Sequence, residues 1–288
     1  MPINLNPNIK PETSVFKKSF EYVNLPFPFL RLSWNNGNSH ATSVKGAGSA
    51  QYFGGFQRGS KDIQEDLATM KKTTLPIYFK EEEWVNTKDE AYMAWGSRSV
   101  WAAPILARVD WYEGRDKYTS EIRLKHRLDF LVYLADRDKN TLIPWGPAVI
   151  TAYGFAATSI EKAFKGFAQE TLDVRKRFAG GIDAMFFYHL YGTFGNQRNA
   201  QKAGDTAAVV PCVYDKPADE WSERMLENRF VGDDIGQVLV DLQKQAKEWF
   251  EDTNENRQKK NGAPKATNIP FGQLTPDTFM DETPDDPL

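Results

Sequence analysis

With 288 residues, 41% of them apolar, the chain has the length for one large domain or two small ones and an ordinary content of core-forming residues. No apolar run approaches the roughly eighteen residues of a membrane span, residues 1–14 are polar and Asn/Pro-rich with no apolar secretion core, and the single cysteine, Cys212, excludes a disulfide framework and a multi-cysteine zinc site. A cytoplasmic protein is the expectation. The net charge of −3 is unevenly spread: all 36 Lys and Arg precede residue 266, where they meet 34 acids, while the other five acids follow.

Residues 1–20 read as a flexible arm, 21–252 as one globular domain and 253–288 as a disordered linker with an acidic tail. Residues 22–34 (YVNLPFPFLRLSW) are strand-like, with Pro26 and Pro28 confining the first half to an edge. Asn35-Asn36-Gly37-Asn38 signals a turn, and Gly46, Gly48, Gly54, Gly55 and Gly59 punctuate the loop-rich stretch beyond it. Residues 63–71 suit a short helix and 75–79 a short strand.

Strands follow at 100–112 and 119–134, joined by a turn at 113–116. The second has a clear period of two: Ile122, Leu124, His126, Leu128, Phe130, Val132 and Leu134 share one face, and Arg123, Lys125, Arg127 and Asp129 share the other before Leu131 and Tyr133. Residues 136–140 turn the chain into a strand at 142–152. Thr158 and Glu161 match a capping box for a helix that carries Ile160, Phe164, Phe167, Ala168 and Leu172; Arg175-Lys176-Arg177 loads its last turn and Gly180-Gly181 ends it. Residues 182–194 and 207–214 again look β-like, and 234–252 form an amphipathic helix. The pattern predicts an α+β fold: a β-rich antiparallel sheet, or an OB-like barrel enlarged by insertions, with two main helices.

Arg123, Lys125 and Arg127 stand about 7 Å apart along one strand face, a spacing that can track the phosphates of a nucleic-acid strand. The same alternation also describes the solvated outer face of a half-buried sheet. Arg98, Arg108, Tyr112, Arg115, Lys117 and Tyr133 add interleaved cations and aromatics of the kind on which single-stranded nucleic acid stacks. Tyr191, Arg198 and Lys202 extend the candidate interface through the run YHLYGTFGNQRNAQK. Trp101 and Trp111 are expected to point inward.

Catalytic signals are weak. The three histidines, His40, His126 and His189, show no metal-ligand spacing, and Cys212 reads as a buried thiol. Lys45-Gly46-Ala47-Gly48-Ser49 matches neither a P-loop nor a dinucleotide fingerprint. No cofactor, metal or catalytic residue is assigned. Asp110, Asp116, Glu121 and Lys125 would be the carboxylates and lysine of a metal nuclease, at generic spacing.

The tail is the most informative segment. Residues 276–288 carry five carboxylates and no Lys or Arg, and they run through Phe279-Met280 and Asp281-Glu282 to Asp285-Asp286-Pro287-Leu288. An acidic peptide with apolar side chains suits a basic, apolar pocket on another protein, although acidic tails also serve solubility alone. This segment resembles the C-terminal tip of bacterial and phage single-stranded DNA-binding proteins, with Leu288 where those tips end in Phe. The resemblance implies sequence-independent binding of single-stranded DNA in replication, recombination or repair. It further implies that Phe279, Asp281, Glu282, Asp285, Asp286 and Leu288 recruit replication and recombination proteins. A metal-dependent nuclease and a structural or assembly protein of a phage remain as alternatives.

Overall fold

The computed structural model describes residues 25–35, 52–85, 91–115, 122–139, 141–178, 185–192, 194–195, 201–203, 207–209 and 211–250. The expected N-terminal arm, the glycines at 46 and 48, and the linker and tail lie outside the described residues.

Strand β1 (Leu30–Asn35) buries Leu30, Leu32 and Trp34 and turns Arg31 and Ser33 outward, as a period of two requires. After β2 (Tyr52–Phe53) and β3 (Gly55–Gly59) comes helix α1 (Ser60–Thr69), which buries Ile63, Asp66 and Leu67. Burial of Asp66 is compensated by three donors: the main-chain N–H of Arg31 (3.1 Å), the Arg31 guanidinium (2.9 Å) and that of Arg58 (3.0 Å).

The strand expected at 75–79 does not form. Phe79 N–H closes a turn on the Pro76 carbonyl, while Ile77 N–H donates to Asp136 and the Tyr78 hydroxyl to the Ala135 carbonyl. Proline lacks the N–H that a ladder needs, and the tertiary bonds claim its neighbours. The strand begins one residue later as β4 (Lys80–Val85), paired with β5 (Ala91–Ser97). Trp84 covers Gly96 closely enough that any Cβ there would overlap the indole.

Strands β6 (Ser99–Arg115), β7 (Ile122–Asp138) and β8 (Thr141–Tyr153) form the long antiparallel centre. Helix α2 (Gly154–Glu170) starts four residues before the expected capping box. Gly154, at φ +52°, makes the strand-to-helix corner, and the Thr158 hydroxyl turns back to the Gly154 carbonyl (3.4 Å) instead of capping. The helix stops at Thr171, whose hydroxyl donates to the Phe167 carbonyl (2.7 Å), and α3 (Leu172–Phe178) is separate. Arg175 reaches back to the Ala168 carbonyl (2.8 Å), which gives one of the three cations a helix-end role.

Short strands β9 (Tyr188–Gly192), β10 (Phe194–Gly195), β11 (Gln201–Ala203), β12 (Ala207–Val209) and β13 (Cys212–Tyr214) precede α4 (Glu223–Glu227) and α5 (Asp233–Gln245). The fold is α+β. Nine strands form one curled, half-barrel sheet in the order β13-β9-β6-β7-β8-β1-β3-β5-β4. It is mixed, which corrects the all-antiparallel expectation: β1 lies parallel to β8 and antiparallel to β3. The first strand is inserted between two later ones, so no hairpin dictates its direction.

Both faces of the sheet centre are covered. Leu128, Phe130, Val132 and Leu134 join Leu30, Leu32, Ile150 and Phe56 beneath Ile63 of α1 and Phe164 and Phe167 of α2. On the other face Leu131, Ala135, Trp101 and Val149 pack with Leu239 and Leu242 of α5, with Trp249 beyond it, and with Leu25. The alternation predicted for β7 therefore holds on the first face over Leu128–Leu134, while the second becomes apolar from Leu131 onward because α5 lies there.

Candidate nucleic-acid interface

The β6–β7 ladder outruns the sheet. On one side β8 accompanies β7 only as far as the Arg127–Tyr153 pair, and on the other β9 accompanies β6 only over residues 99–102. Past those points the two strands have only each other as ladder partners among the described residues, so residues 111–115 and 122–126 continue as a two-stranded ribbon. Its register sets Asp110 opposite Arg127, Tyr112 opposite Lys125 and Gly114 opposite Arg123. Successive positions of a strand alternate between faces, so positions 112, 123, 125 and 127 share one ribbon face. Arg115, opposite Ile122, belongs to the other face, and Lys117 lies outside the described residues.

At the foot of the ribbon, polar side chains tie it to the sheet. Asp129, buried, accepts from Arg127 (2.6 Å) and from the Thr151 hydroxyl (2.7 Å). Arg108 is only 2% exposed: its Nη1 donates to the Trp249 carbonyl (3.0 Å), its Nε lies 3.9 Å from Asp129, and its guanidinium sits 4.7 Å from the Trp249 ring centre. The sequence places Arg108 on the binding surface; its guanidinium is instead enclosed by the domain, where a phosphate has no access. Trp249, which follows α5, is thereby held against the strand that leads into the ribbon.

A second cluster lies at the β9 end of the same sheet face. His189 stacks on Trp101 across the β6–β9 ladder, with centroids 4.5 Å apart and planes 13° apart. Tyr191 tilts against the imidazole at 5.6 Å. His189 Nδ1 lies 3.5 Å from Asp215 Oδ2, and Arg229 grips both Asp215 oxygens with bonds of 2.9 and 2.7 Å. Burial pushes the Asp215 carboxyl up, but the bonds from His189 and Arg229 and the positive charge behind them outweigh it and hold the group below the usual carboxylate range. The Arg229 guanidinium also lies over Trp101 at 5.2 Å and Trp221 at 4.9 Å.

Compared with known proteins, the chain matches no family model, no curated protein and no solved structure.

The remaining sequence candidates are dispersed. Arg98 is exposed at the β5–β6 corner, where its carbonyl accepts from Gly192 N–H (2.8 Å). Tyr133 is half-buried against the core under α5, away from the ribbon, and loss of solvent pushes its hydroxyl pKa up. Lys202 is placed on β11 opposite Ala208, while Arg198, Phe279, Asp281, Glu282, Asp285, Asp286 and Leu288 lie outside the described residues. The group of His189, Asp215 and Arg229 does not stand out in the sequence. A two-residue step from His189 to Tyr191 on one strand is its only local signal; the acid and the arginine arrive from 26 and 40 residues away. Among the described residues no three His, Cys, Asp or Glu side chains converge to hold a metal ion, and no helix is long and apolar enough to cross a membrane.

Proposed function

We propose that this protein binds single-stranded DNA without sequence preference, on an OB-like variant of the curled sheet, in replication, recombination or repair. The observation that carries this reading is the ribbon register: three cations at alternate positions on one strand, with Tyr112 directly opposite the middle one. Phosphates are met by Arg123, Lys125 and Arg127, and a base stacks on Tyr112; stacking of this kind contributes about 1–3 kcal/mol per base. Such interactions read charge and ring faces rather than base edges, which is why sequence does not matter. Residues 276–288 recruit partner proteins through their acids and apolar side chains. Their negative charge also lets them compete for the ribbon's cations when DNA is absent.

A gel shift with labelled oligo-dT and with duplex DNA, each with and without magnesium, tests the reading. Retarded, intact oligo-dT supports it. Magnesium-dependent cleavage would replace it with a nuclease, and neither binding nor cleavage would leave a structural or assembly role.

A further inference from the structure

The β9 cluster is built like an anion site. Asp215 is engaged by both arms of Arg229, so these two charges cancel, while Arg137 lies over Trp101 (5.8 Å) from β7 and adds a cation. His189 keeps 22% of its side chain exposed. Its Nδ1 faces Asp215, so Nε2 is the ring nitrogen left to meet a ligand, and the carboxylate steadies the ring in that pose. Stacking on Trp101 fixes the imidazole plane from the other side. Tyr191 supplies a further ring on the same face, next along the strand.

We propose that this cluster is a second binding point for single-stranded nucleic acid, in which protonated His189 takes a backbone phosphate through Nε2 while Tyr191 supports a base. The proposal rests on the nucleic-acid reading above and adds a proton to it. Neutral His189 presents a lone pair at Nε2, which repels a phosphate; the imidazolium presents an N–H and a charge, which attract one. The charged or titratable groups around the ring are Asp215, Arg229 and Tyr191, and Arg137 lies over the Trp101 ring on which His189 stacks. Burial pushes the Tyr191 hydroxyl up, and the bonds from His189 and Arg229 hold the Asp215 carboxyl below the usual carboxylate range, so neither changes charge between pH 5.5 and 8.

The test is a fluorescence-anisotropy titration of labelled oligo-dT from pH 5.5 to 8 at constant ionic strength, with folding of each variant checked by circular dichroism. Affinity should fall with rising pH as the linked proton is lost, with a limiting slope of about tenfold per pH unit for one proton. His189→Gln should flatten that slope, and His189→Lys should retain the low-pH affinity up to pH 8. His126→Gln, on the ribbon face without the three cations, and His40→Gln should keep the slope. A folded His189→Gln protein with the native pH dependence overturns the proposal, as does a slope that disappears with His126 or His40 instead. Binding that ignores pH altogether overturns this second binding point alone, whereas no oligo-dT binding at any pH overturns the nucleic-acid reading and the second point with it.

Discussion

Trp249 closes over Arg108: the guanidinium lies 4.7 Å from the indole centre and donates to the same residue's carbonyl at 3.0 Å. One tryptophan therefore satisfies a buried donor, covers the cation with a ring face, and fastens the segment after α5 to the strand that becomes the ribbon. Asp129, 3.9 Å from Arg108, links this buried pair to Arg127 and hence to the first cation of the ribbon face.

Trp249→Ala should consequently lower stability by about 3–5 kcal/mol, the usual cost of deleting a large core aromatic. Arg108→Ala should cost roughly 3 kcal/mol, because Asp129 then keeps its burial with less charge compensation. Lys125→Ala, on the ribbon, should stay within about 0.5 kcal/mol of the parent protein. Urea midpoints measured on the three variants decide it. An Arg108→Ala protein as stable as the parent, but impaired in DNA binding, would return Arg108 to the interface.

The ribbon makes its own prediction through salt. Arg123→Ala with Lys125→Ala should weaken oligo-dT binding and lower the log–log salt slope by roughly 0.7 for each phosphate that is no longer neutralised, about 1.4 for the pair. Arg127 is left in place in this variant because its bond to Asp129 at 2.6 Å gives it a structural share. A slope unchanged in the folded double variant would remove the ribbon from the site.

What is legible in the sequence follows from local periodicity. Leu128 to Leu134 announce a buried face because alternation is written into the strand itself, and positions 123, 125 and 127 share the opposite face for the same reason. Arg108 looks like an outward cation because nothing in its own strand signals that Trp249, 141 residues away, will cover it. Pro76 and Thr158 mislead for a related reason: a turn residue and a capping residue compete with bonds that periodicity does not contain. The cluster at His189 depends on Asp215 and Arg229, which reach it only once β9 and β13 pair and the chain returns beside them.

Asp215 yields a pH prediction with a definite sign. Its folded pKa lies below the unfolded value, so the group contributes stability that is fully present above about pH 4, the ordinary aspartate range, and is lost as pH falls through the lower folded value. Asp215→Asn should remove that contribution at neutral pH and make acid unfolding begin from a lower plateau with a shallower fall. Thermal midpoints at pH 7, 4 and 3 measure it. Equal losses of midpoint for parent and variant between pH 4 and 3 would mean that the bonds from Arg229 and His189 do not set the carboxyl's affinity for protons.

Deleting residues 276–288 separates a recruiting tail from a solubilising one. Five carboxylates on the same chain oppose DNA at the ribbon's cations, so the deletion should tighten oligo-dT binding at low salt. That gain should shrink toward physiological ionic strength, where the Debye length is about 8 Å. The same deletion should abolish partner recovery in a pull-down using a defined candidate, a replication or recombination protein with a basic, apolar pocket. Leu288→Ala should cause most of that loss, since a fully enclosed leucine side chain contributes roughly 1.5–3 kcal/mol, a factor of about ten to a hundred in affinity. A solubilising tail predicts a different pattern, in which Leu288→Ala is silent and replacing Asp285 and Asp286 by asparagine has the larger effect on aggregation. If the deletion leaves DNA affinity at low salt unchanged, the tail does not compete for the ribbon. If it also leaves partner recovery unchanged, the recruiting role falls, and the single-strand-binding reading stands on the ribbon alone.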